Sequence, residues 1–272
     1  MFKIIGKENL ASNIRLLKIY APQIAKKAKP GQFVVLMPDE NSERIPLTLA
    51  DWDREESTIT LIFQEVGFTT KKLAKLSIGD CISHILGPLG KPTEIKFFGR
   101  IILIGGGVGI AEILPLIKAF KEKNNYILTI LGARTKELLI LEEKIRKFSD
   151  EFYITTDDGS YGRKGFVTDI LKEKLYQDKD FQLVYAIGPV LMMKEISKIT
   201  NPFGIKTLVS LNPIMVDATG MCGSCRIKVR ERTLFACVDG PEFDADEVDF
   251  DELQKRLSLF KDEEKLINSY GA

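Results

Sequence analysis

Two different spacings of apolar residues divide the chain. Up to about residue 95 they come in short runs rich in β-branched and aromatic residues: FKIIGKENL, IRLLKIYA, QFVVLMPD, TITLIFQEV and DCISHILG. Turn residues at Gly31, at 39–42 and at Pro88–Gly90 separate the runs, which together predict a small antiparallel β-barrel. TKKLAKL, at 70–76, predicts one short helix inside it. After Phe98-Gly99 the pattern changes: RIILIGGGVGIAEILPLIKAFKEK reads as a buried strand, a glycine turn and an amphipathic helix. YILTILGART is a second buried strand and KELLILEEKIRKF a second helix, and FYITTDD, FVTDILKEKL, FQLVYAIGP and MMKEISKI continue the alternation. That alternation predicts a doubly wound parallel α/β sheet, with IGPVLMM at 187–193 in a late strand. From Leu211 the alternation gives way to a cysteine-bearing segment, and 249–270 predicts a charged helix.

The expected fold class is therefore β plus α/β, over four segments: a barrel at 1–96, an α/β domain at 97–211, a cysteine module at 212–250 and a C-terminal helix at 251–272. A length of 272 residues suits more than one core. The formal net charge of +1 provides no global field to recruit nucleic acid or an acidic membrane surface. The start, MFKIIGKENLASNIRLL, is polar where a signal peptide needs an apolar run, and glycines, Glu112 and Pro115 interrupt the longest apolar stretch. A cytoplasmic location is expected, where clustered cysteines serve as metal ligands or redox thiols rather than disulfides. The single histidine, His84, is expected at a strand or surface position, and no G-x-S-x-G elbow accompanies it.

Two places carry candidate chemistry. GGGVG at 105–109 lies between strand and helix, where backbone amides and a helix N-terminus hold phosphate. The dinucleotide fingerprint G-x-G-x-x-G fails here, because Ile110 or Glu112 falls on its last position, and the next strand ends in Arg134 instead of an acid. A nucleotide site outside the ordinary Rossmann pattern, or a tight turn without ligand, remains open. The second place is MVDATGMCGSCR at 215–226 with Cys237 beyond it, a C-x2-C-x11-C spacing. Laid on the plant-type [2Fe–2S] pattern, Cys222, Cys225 and Cys237 fill the last three places and Asp217 the first. A carboxylate is a harder ligand than a thiolate but binds ferric iron. A structural zinc, a C-x-x-C redox pair and merely buried cysteines are the alternatives. Cys81 is expected to be a buried structural thiol in the barrel.

The order barrel, glycine turn, GPVLMM resembles the ferredoxin–NADP reductase superfamily, although Glu112 stands where many members have proline. With the C-terminal cysteine module and TDDGSYGRKG at 156–165, the chain resembles the dihydroorotate dehydrogenase electron-transfer subunits. RIPLTLAD, MVDATGMCGSC and CVDGPEFDA are similar to the small (alpha) subunits of NADH-dependent reduced ferredoxin:NADP oxidoreductases and sulfide dehydrogenases. The resemblance covers nearly the whole chain. It implies FAD in the barrel at Arg44, Pro46, Leu47, Thr48, Ile62, Gln64, Gly67, Thr69 and Thr70, with Thr48 near flavin N5. Arg44 lies one residue further from Thr48 than the family spacing, and Gly67–Thr70 is equally a helix cap.

The resemblance further implies NAD(P)H at Gly105, Gly106, Gly107, Val108, Gly109, Arg134, Asp157, Asp158, Gly188, Pro189 and Met192. NAD is preferred over NADP because Asp157 and Asp158 oppose a 2′-phosphate, whereas Arg134 and Arg163 favour one; solvated loop charges are the other reading of all four. Asp217, Cys222, Cys225 and Cys237 are the implied cluster ligands. The implied partner of the heterodimer is a larger subunit with a second FAD and [4Fe–4S] clusters, serving ferredoxin and NADPH and bifurcating electrons, or alternatively one acting on dihydroorotate or sulfur compounds. A zinc-stabilised NAD(P) dehydrogenase without flavin and a nucleotide-binding regulatory subunit are readings of other classes.

Overall fold

Alternating inward residues build the first sheet, whose strands are β1 (Phe2–Ala11), β2 (Ile14–Tyr20), β3 (Phe33–Met37), β4 (Ile45–Asp53), β5 (Thr58–Gln64), β6 (Cys81–Ile82) and β7 (His84–Leu89). The computed structural model describes residues 1–270. By its internal contacts the chain divides into two compact units, one of residues 1–92, 212–241 and 249 onward, the other of 93–211 and 242–248. In the first unit the strands run antiparallel in the order β6-β1-β2-β5-β4-β3-β7, the near-closed barrel that the spacing predicts. Leu17 and Ile19 on β2 and Ile59, Leu61 and Phe63 on β5 point into one core with Ile4, Leu36, Leu49 and Leu73. Two short helices lie between strands, α1 (Pro22–Lys27) and α2 (Phe68–Lys75).

Three details of the barrel differ from expectation. Strand β4, not among the apolar runs above, pairs with both β3 and β5; Ile45, Leu47 and Leu49 alternate toward the core, and a register shift between Leu49 and Asp51 ends that alternation. DCISHILG is two strands, broken at Ser83, whose amide donates to the Pro38 carbonyl at 3.0 Å. Cys81 is half-buried rather than buried, because β6 is an edge strand and its inward position goes to Ile82.

The second unit is built on β8 (Arg100–Gly106), α3 (Ile110–Glu122), β9 (Tyr126–Ala133), α4 (Glu142–Arg146), β10 (Glu151–Thr156), β11 (Arg163–Lys164), α5 (Val167–Gln177), β12 (Leu183–Ile187), α6 (Val190–Thr200) and β13 (Lys206–Ser210). These strands are parallel, in the order β11-β10-β9-β8-β12-β13. Ile101 to Ile104 are all fully buried, so β8 is covered on both faces, which is why its sequence shows no alternation. KELLILEEKIRKF does not form one helix: a 3₁₀ turn at Lys136–Leu138 precedes α4, and Leu141 between them is left-handed at φ 58°. GPVLMM is not strand either. β12 ends at Ile187 and α6 begins at Val190, after Pro189 at its N-cap.

The cysteine segment contributes a hairpin to the first unit, β14 (Arg226–Val229) with β15 (Arg232–Phe235), turning at Arg230 with φ 51°. Beyond it, β16 (Glu242–Asp244) pairs antiparallel with β13 and completes the α/β sheet. The predicted terminal helix is two, α7 (Phe250–Leu257) and α8 (Lys261–Tyr270). Asp249 caps α7 by accepting from the Glu252 amide at 3.0 Å, and the Ser258 hydroxyl closes it on the Lys255 carbonyl at 2.7 Å.

One buried polar cluster ties β16 to the sheet interior. Tyr185 on β12 is fully buried, and its phenol donates to Oε1 of Glu242; the Thr93 hydroxyl donates to the same oxygen. Burial pushes the Glu242 carboxyl above its ordinary value, against the pull of the two hydroxyls and Lys206. The stability that neutral Glu242 contributes is fully present below the ordinary value of 4.5 and is lost as pH rises through the raised one. Glu242→Gln keeps an acceptor without the charge and should flatten that loss in urea titrations across pH. Glu242→Ala strands two buried hydroxyls and should cost about 2 kcal/mol below pH 4.5, less as pH rises through the raised value.

Candidate functional site

The cysteine loop owes its shape to backbone that few residues adopt. Ala218, Gly220 and Gly223 all have positive φ, at 57°, 85° and 67°. A Cβ at Gly220 would stand 2.7 Å from the Val238 side chain, so glycine is required there for conformation and for space. The turn lets the Asp217 carboxylate face its own loop, accepting from the Thr219 amide at 2.9 Å and the Cys222 amide at 3.0 Å. These bonds, the Thr219 amide foremost, hold the Asp217 carboxyl below its ordinary value, so it is an anion at neutral pH.

Cys225 immediately precedes β14 and Cys237 follows β15, so the hairpin brings the two thiols within 3.2 Å. Both are buried, at 2% and 4% exposure. Burial, then the Cys225 thiol, pushes Cys237 up to about 12. Cys222 is exposed; the Ser224 hydroxyl 3.1 Å from its sulfur lowers its pKa. Ser224 also accepts from the Val216 amide at 3.1 Å, a role that the cysteine spacing gives no hint of. Among the described residues no group of three or more His, Cys, Asp or Glu converges on one point as a metal-holding set. The loop instead assembles its donors in pairs, Cys225 with Cys237 and Asp217 with the amide of Cys222. Three sulfurs and one ionised carboxylate on a single loop are a donor set that fits an iron–sulfur centre.

In the α/β unit the sheet reverses direction of growth at β8, with β9 on one side and β12 on the other, the switch point where open α/β sheets bind ligands. Gly105 and Gly106 end β8, Gly107–Gly109 form a 3₁₀ turn, and α3 starts at Ile110. Gly188 and Met192 lie against Gly106: a Cβ on Gly106 would stand 2.5 Å from the Met192 sulfur, and one on Gly188 3.0 Å from the Gly106 carbonyl. Val108 is half-buried and Pro189 exposed beside them. The structure thus packs Gly105–Gly109, Gly188, Pro189 and Met192 together at the switch point, with open space beside Gly107.

Arg134, Asp157 and Asp158 gather at the C-terminal ends of β9 and β10, where the Asp157 amide donates to Ala133 O at 3.1 Å and the Asp158 amide to Arg134 O at 3.3 Å. All three side chains are exposed. Ser160, donating through its hydroxyl at 2.7 Å and its amide at 2.9 Å, holds the Asp158 carboxyl below its ordinary value. The same hydroxyl accepts from the Lys136 amide at 2.8 Å, which sequence reading did not anticipate. Arg163 pairs with Glu173 at 2.6 Å.

In the barrel, Pro46, Leu47 and Thr48 pair with Val35, Val34 and Phe33 on β3. The β4–β5 ladder stops at Leu49–Leu61, so Ile45–Thr48 and Ile62–Gln64 are strand ends without cross-strand pairing between them. Arg44 is exposed just before β4. Gly67 is the N-cap of α2; its amide donates to the Thr70 hydroxyl at 3.0 Å, and that hydroxyl donates to the Gly67 carbonyl at 3.0 Å. Thr70 thus serves as a helix cap. Thr69 next to it is 2% exposed, and its hydroxyl oxygen is buried without a hydrogen-bond partner. An orphaned hydroxyl at a helix N-terminus with no acid in its first turn fits an anionic group such as a phosphate. His84 is exposed on β7, opposite Met37 on β3. Among the described residues no helix is long and apolar enough to cross a membrane.

Comparison with known proteins agrees with this geometry. Residues 212–249 match the iron–sulfur cluster binding domain of dihydroorotate dehydrogenase B, and 103–198 the oxidoreductase NAD-binding domain. The chain is 47% identical to the Thermotoga maritima dihydroorotate dehydrogenase B (NAD(+)) electron transfer subunit homolog, over 97% of this chain and 93% of that protein. It is 31% identical to the Fusobacterium nucleatum dihydroorotate dehydrogenase B (NAD(+)) electron transfer subunit, over 89% and 95%. A chain of the NADH-dependent reduced ferredoxin-NADP oxidoreductase structure, described for flavin-based electron bifurcation, superimposes with a TM-score of 0.93 at 46% identity, over 99% of this chain and 97% of that one. The glycine turn yields a direct test within the NAD-binding domain. A Cβ at Gly109 would stand 2.7 Å from the Ile187 carbonyl oxygen, backbone that cannot yield. Gly109→Ala should weaken NADH binding on the order of tenfold or more by fluorescence titration, while leaving the barrel unit's near-ultraviolet signal from Trp52 unchanged.

Proposed function

The chain belongs to the family of dihydroorotate dehydrogenase B electron transfer subunits and their homologues, and on that footing we propose how its residues serve NAD(H)-linked electron transfer. The amides of Gly105–Gly109 and the N-terminus of α3 receive the dinucleotide pyrophosphate. Gly188, Pro189 and Met192 bound the nicotinamide end of the same site. Asp157 and Asp158 face the adenosine ribose and disfavour a 2′-phosphate, which makes NAD the preferred partner; Arg134 supplies the opposing charge.

In the barrel, the unpaired ends of β4 and β5 leave room for an isoalloxazine ring beside Pro46, Leu47, Thr48, Ile62 and Gln64, with the Thr48 hydroxyl toward N5. Gly67, Thr69, Thr70 and Arg44 take the FAD phosphates, and the orphaned Thr69 hydroxyl gains its missing partner. Asp217, Cys222, Cys225 and Cys237 would hold a [2Fe–2S] cluster, which would supply one-electron transfer there; the 3.2 Å approach of Cys225 and Cys237 supports them as ligands. Bound together, these cofactors take a two-electron hydride from NADH and release single electrons. The protein's part is to orient them and exclude water; no side-chain acid or base is required.

The observation that carries this reading is the cysteine loop, where an ionised Asp217 stands in the first ligand place ahead of a buried thiol pair. The same aspartate favours the ferredoxin:NADP oxidoreductase type over the dihydroorotate type, whose subunit ordinarily has a fourth cysteine there. The partner is then a larger flavoprotein subunit. It holds the second FAD and the [4Fe–4S] clusters, because beyond the three loop cysteines this chain has only Cys81. Purified protein should be coloured, with flavin and iron–sulfur absorption that bleaches on NADH addition; a colourless zinc protein would overturn the reading. Asp217→Ala should lose most of its iron and acid-labile sulfide, whereas Asp217→Cys should retain the cluster at a shifted potential. Unchanged cluster content and spectrum in Asp217→Ala would remove the aspartate from the ligand set.

A further inference from the structure

We propose that Cys225 and Cys237 are also a redox modification site: in the cluster-free chain they join in a reversible disulfide that closes the site to metal until a thiol reductant reopens it. The observations are geometric. The thiols lie 3.2 Å apart, so closing to the ~2.05 Å of a disulfide takes ~1 Å of sulfur travel. Backbone pairing beside them sets that approach. Arg226 pairs with Phe235, and the Cys225 carbonyl accepts from the Ala236 amide at 3.0 Å, so the two cysteines flank the last rung of a closed hairpin. Both are almost fully buried, so the oxidant must be small, and the bond once formed is shielded from bulky protein thiols. Cys222, the other member of the C-x-x-C, is exposed, its sulfur against the Ser224 hydroxyl at 3.1 Å. The spacing alone nominates Cys222 with Cys225 as the redox pair; the fold selects Cys225 with Cys237.

The oxidant is a low-molecular-weight disulfide. Exchange passes through one mixed disulfide: the S–S bond of the oxidant breaks, the protein S–S bond forms, and two electrons pass from the protein sulfurs to the leaving ones. The two protons lost from the protein thiols appear on the two released small thiols. A disulfide sulfur is no longer a thiolate and does not ligate iron, so the bond and the cluster exclude each other. This consequence rests on the reading of these cysteines as cluster ligands; the bond itself does not.

The sequence makes the bond easy to locate. Trypsin cuts after Arg226, Lys228, Arg230 and Arg232, placing Cys222 and Cys225 in peptide 207–226 and Cys237 in 233–255. The full chain is stripped of iron by chelator and reductant, desalted anaerobically, exposed to cystamine, alkylated and digested. Expected is a cross-link between the two peptides that persists in Cys222→Ser and disappears in Cys225→Ser. A bond confined to peptide 207–226, or alkylation of every cysteine, would overturn the proposal. The exposed position of Cys222 keeps its variant folded and the test decisive.

The gating is read with cobalt(II) alone, through its thiolate charge-transfer absorption. That band should be absent from the cystamine-treated chain and return after dithiothreitol and desalting. An equal band in oxidised and reduced chain would refute the gating. No band in the reduced chain would count against the cluster-ligand reading instead, and the cross-link would still decide the bond.

Discussion

The α/β unit depends on one close approach of main chain to main chain. The turn after β8 must pass so near the end of β12 that a single methyl group at Gly109 would meet the Ile187 carbonyl. Because that turn also starts α3, its position sets where the helix N-terminus points. The open space at the switch point is therefore a by-product of tight packing: the residue that permits the packing is also the one that exposes amides to a ligand. The same economy holds at Gly106, where Met192 occupies the space a side chain would need, and so brings α6 to the switch point.

A second constraint is the cost of burying polar groups. Tyr185 sits in the middle of the sheet with its hydroxyl in a region without water, and it is tolerated because β16 returns to present Glu242. Glu242 lies five residues after Cys237, so the segment that carries the last proposed ligand continues directly into the strand that satisfies this phenol. The sequence between the cysteine loop and the terminal helices is thus under two demands at once, and in β16 Phe243 is buried between Glu242 and Asp244.

These demands also explain what was legible in the sequence. Strands buried on both faces, such as β8 and β9, announced themselves as continuous apolar runs, and the barrel strands β2 and β5 by alternation. The cysteine spacing placed Asp217 on the same loop as the thiols. The failures occurred where a single residue overrides a pattern. Leu141 in a left-handed conformation splits a run that is helical by periodicity, and Pro189 moves GPVLMM from strand to helix start. Glu242, Thr93 and Ser160 gave no signal, because each is defined by a partner far away along the chain or by a turn whose geometry is not periodic.

On the proposed ligand set, the environment of each donor bears on how an aspartate can stand in place of a thiol. A buried thiol is a poor anion: burial, then the Cys225 thiol, pushes Cys237 up to about 12, so it is protonated at neutral pH in the metal-free chain. A carboxylate in the same position would meet the same penalty, as burial raises the Glu242 carboxyl above its ordinary value. Asp217 is instead half-buried, and two backbone amides hold its charge against the desolvation it meets. The donors therefore differ by environment: Asp217 ionised on two amides, Cys222 exposed with its thiol lowered, and Cys225 and Cys237 buried at the hairpin, the Cys237 thiol raised. Exchanging Asp217 with either buried cysteine would place each donor where its charge is least stable, so the position of the aspartate is as constrained as its identity.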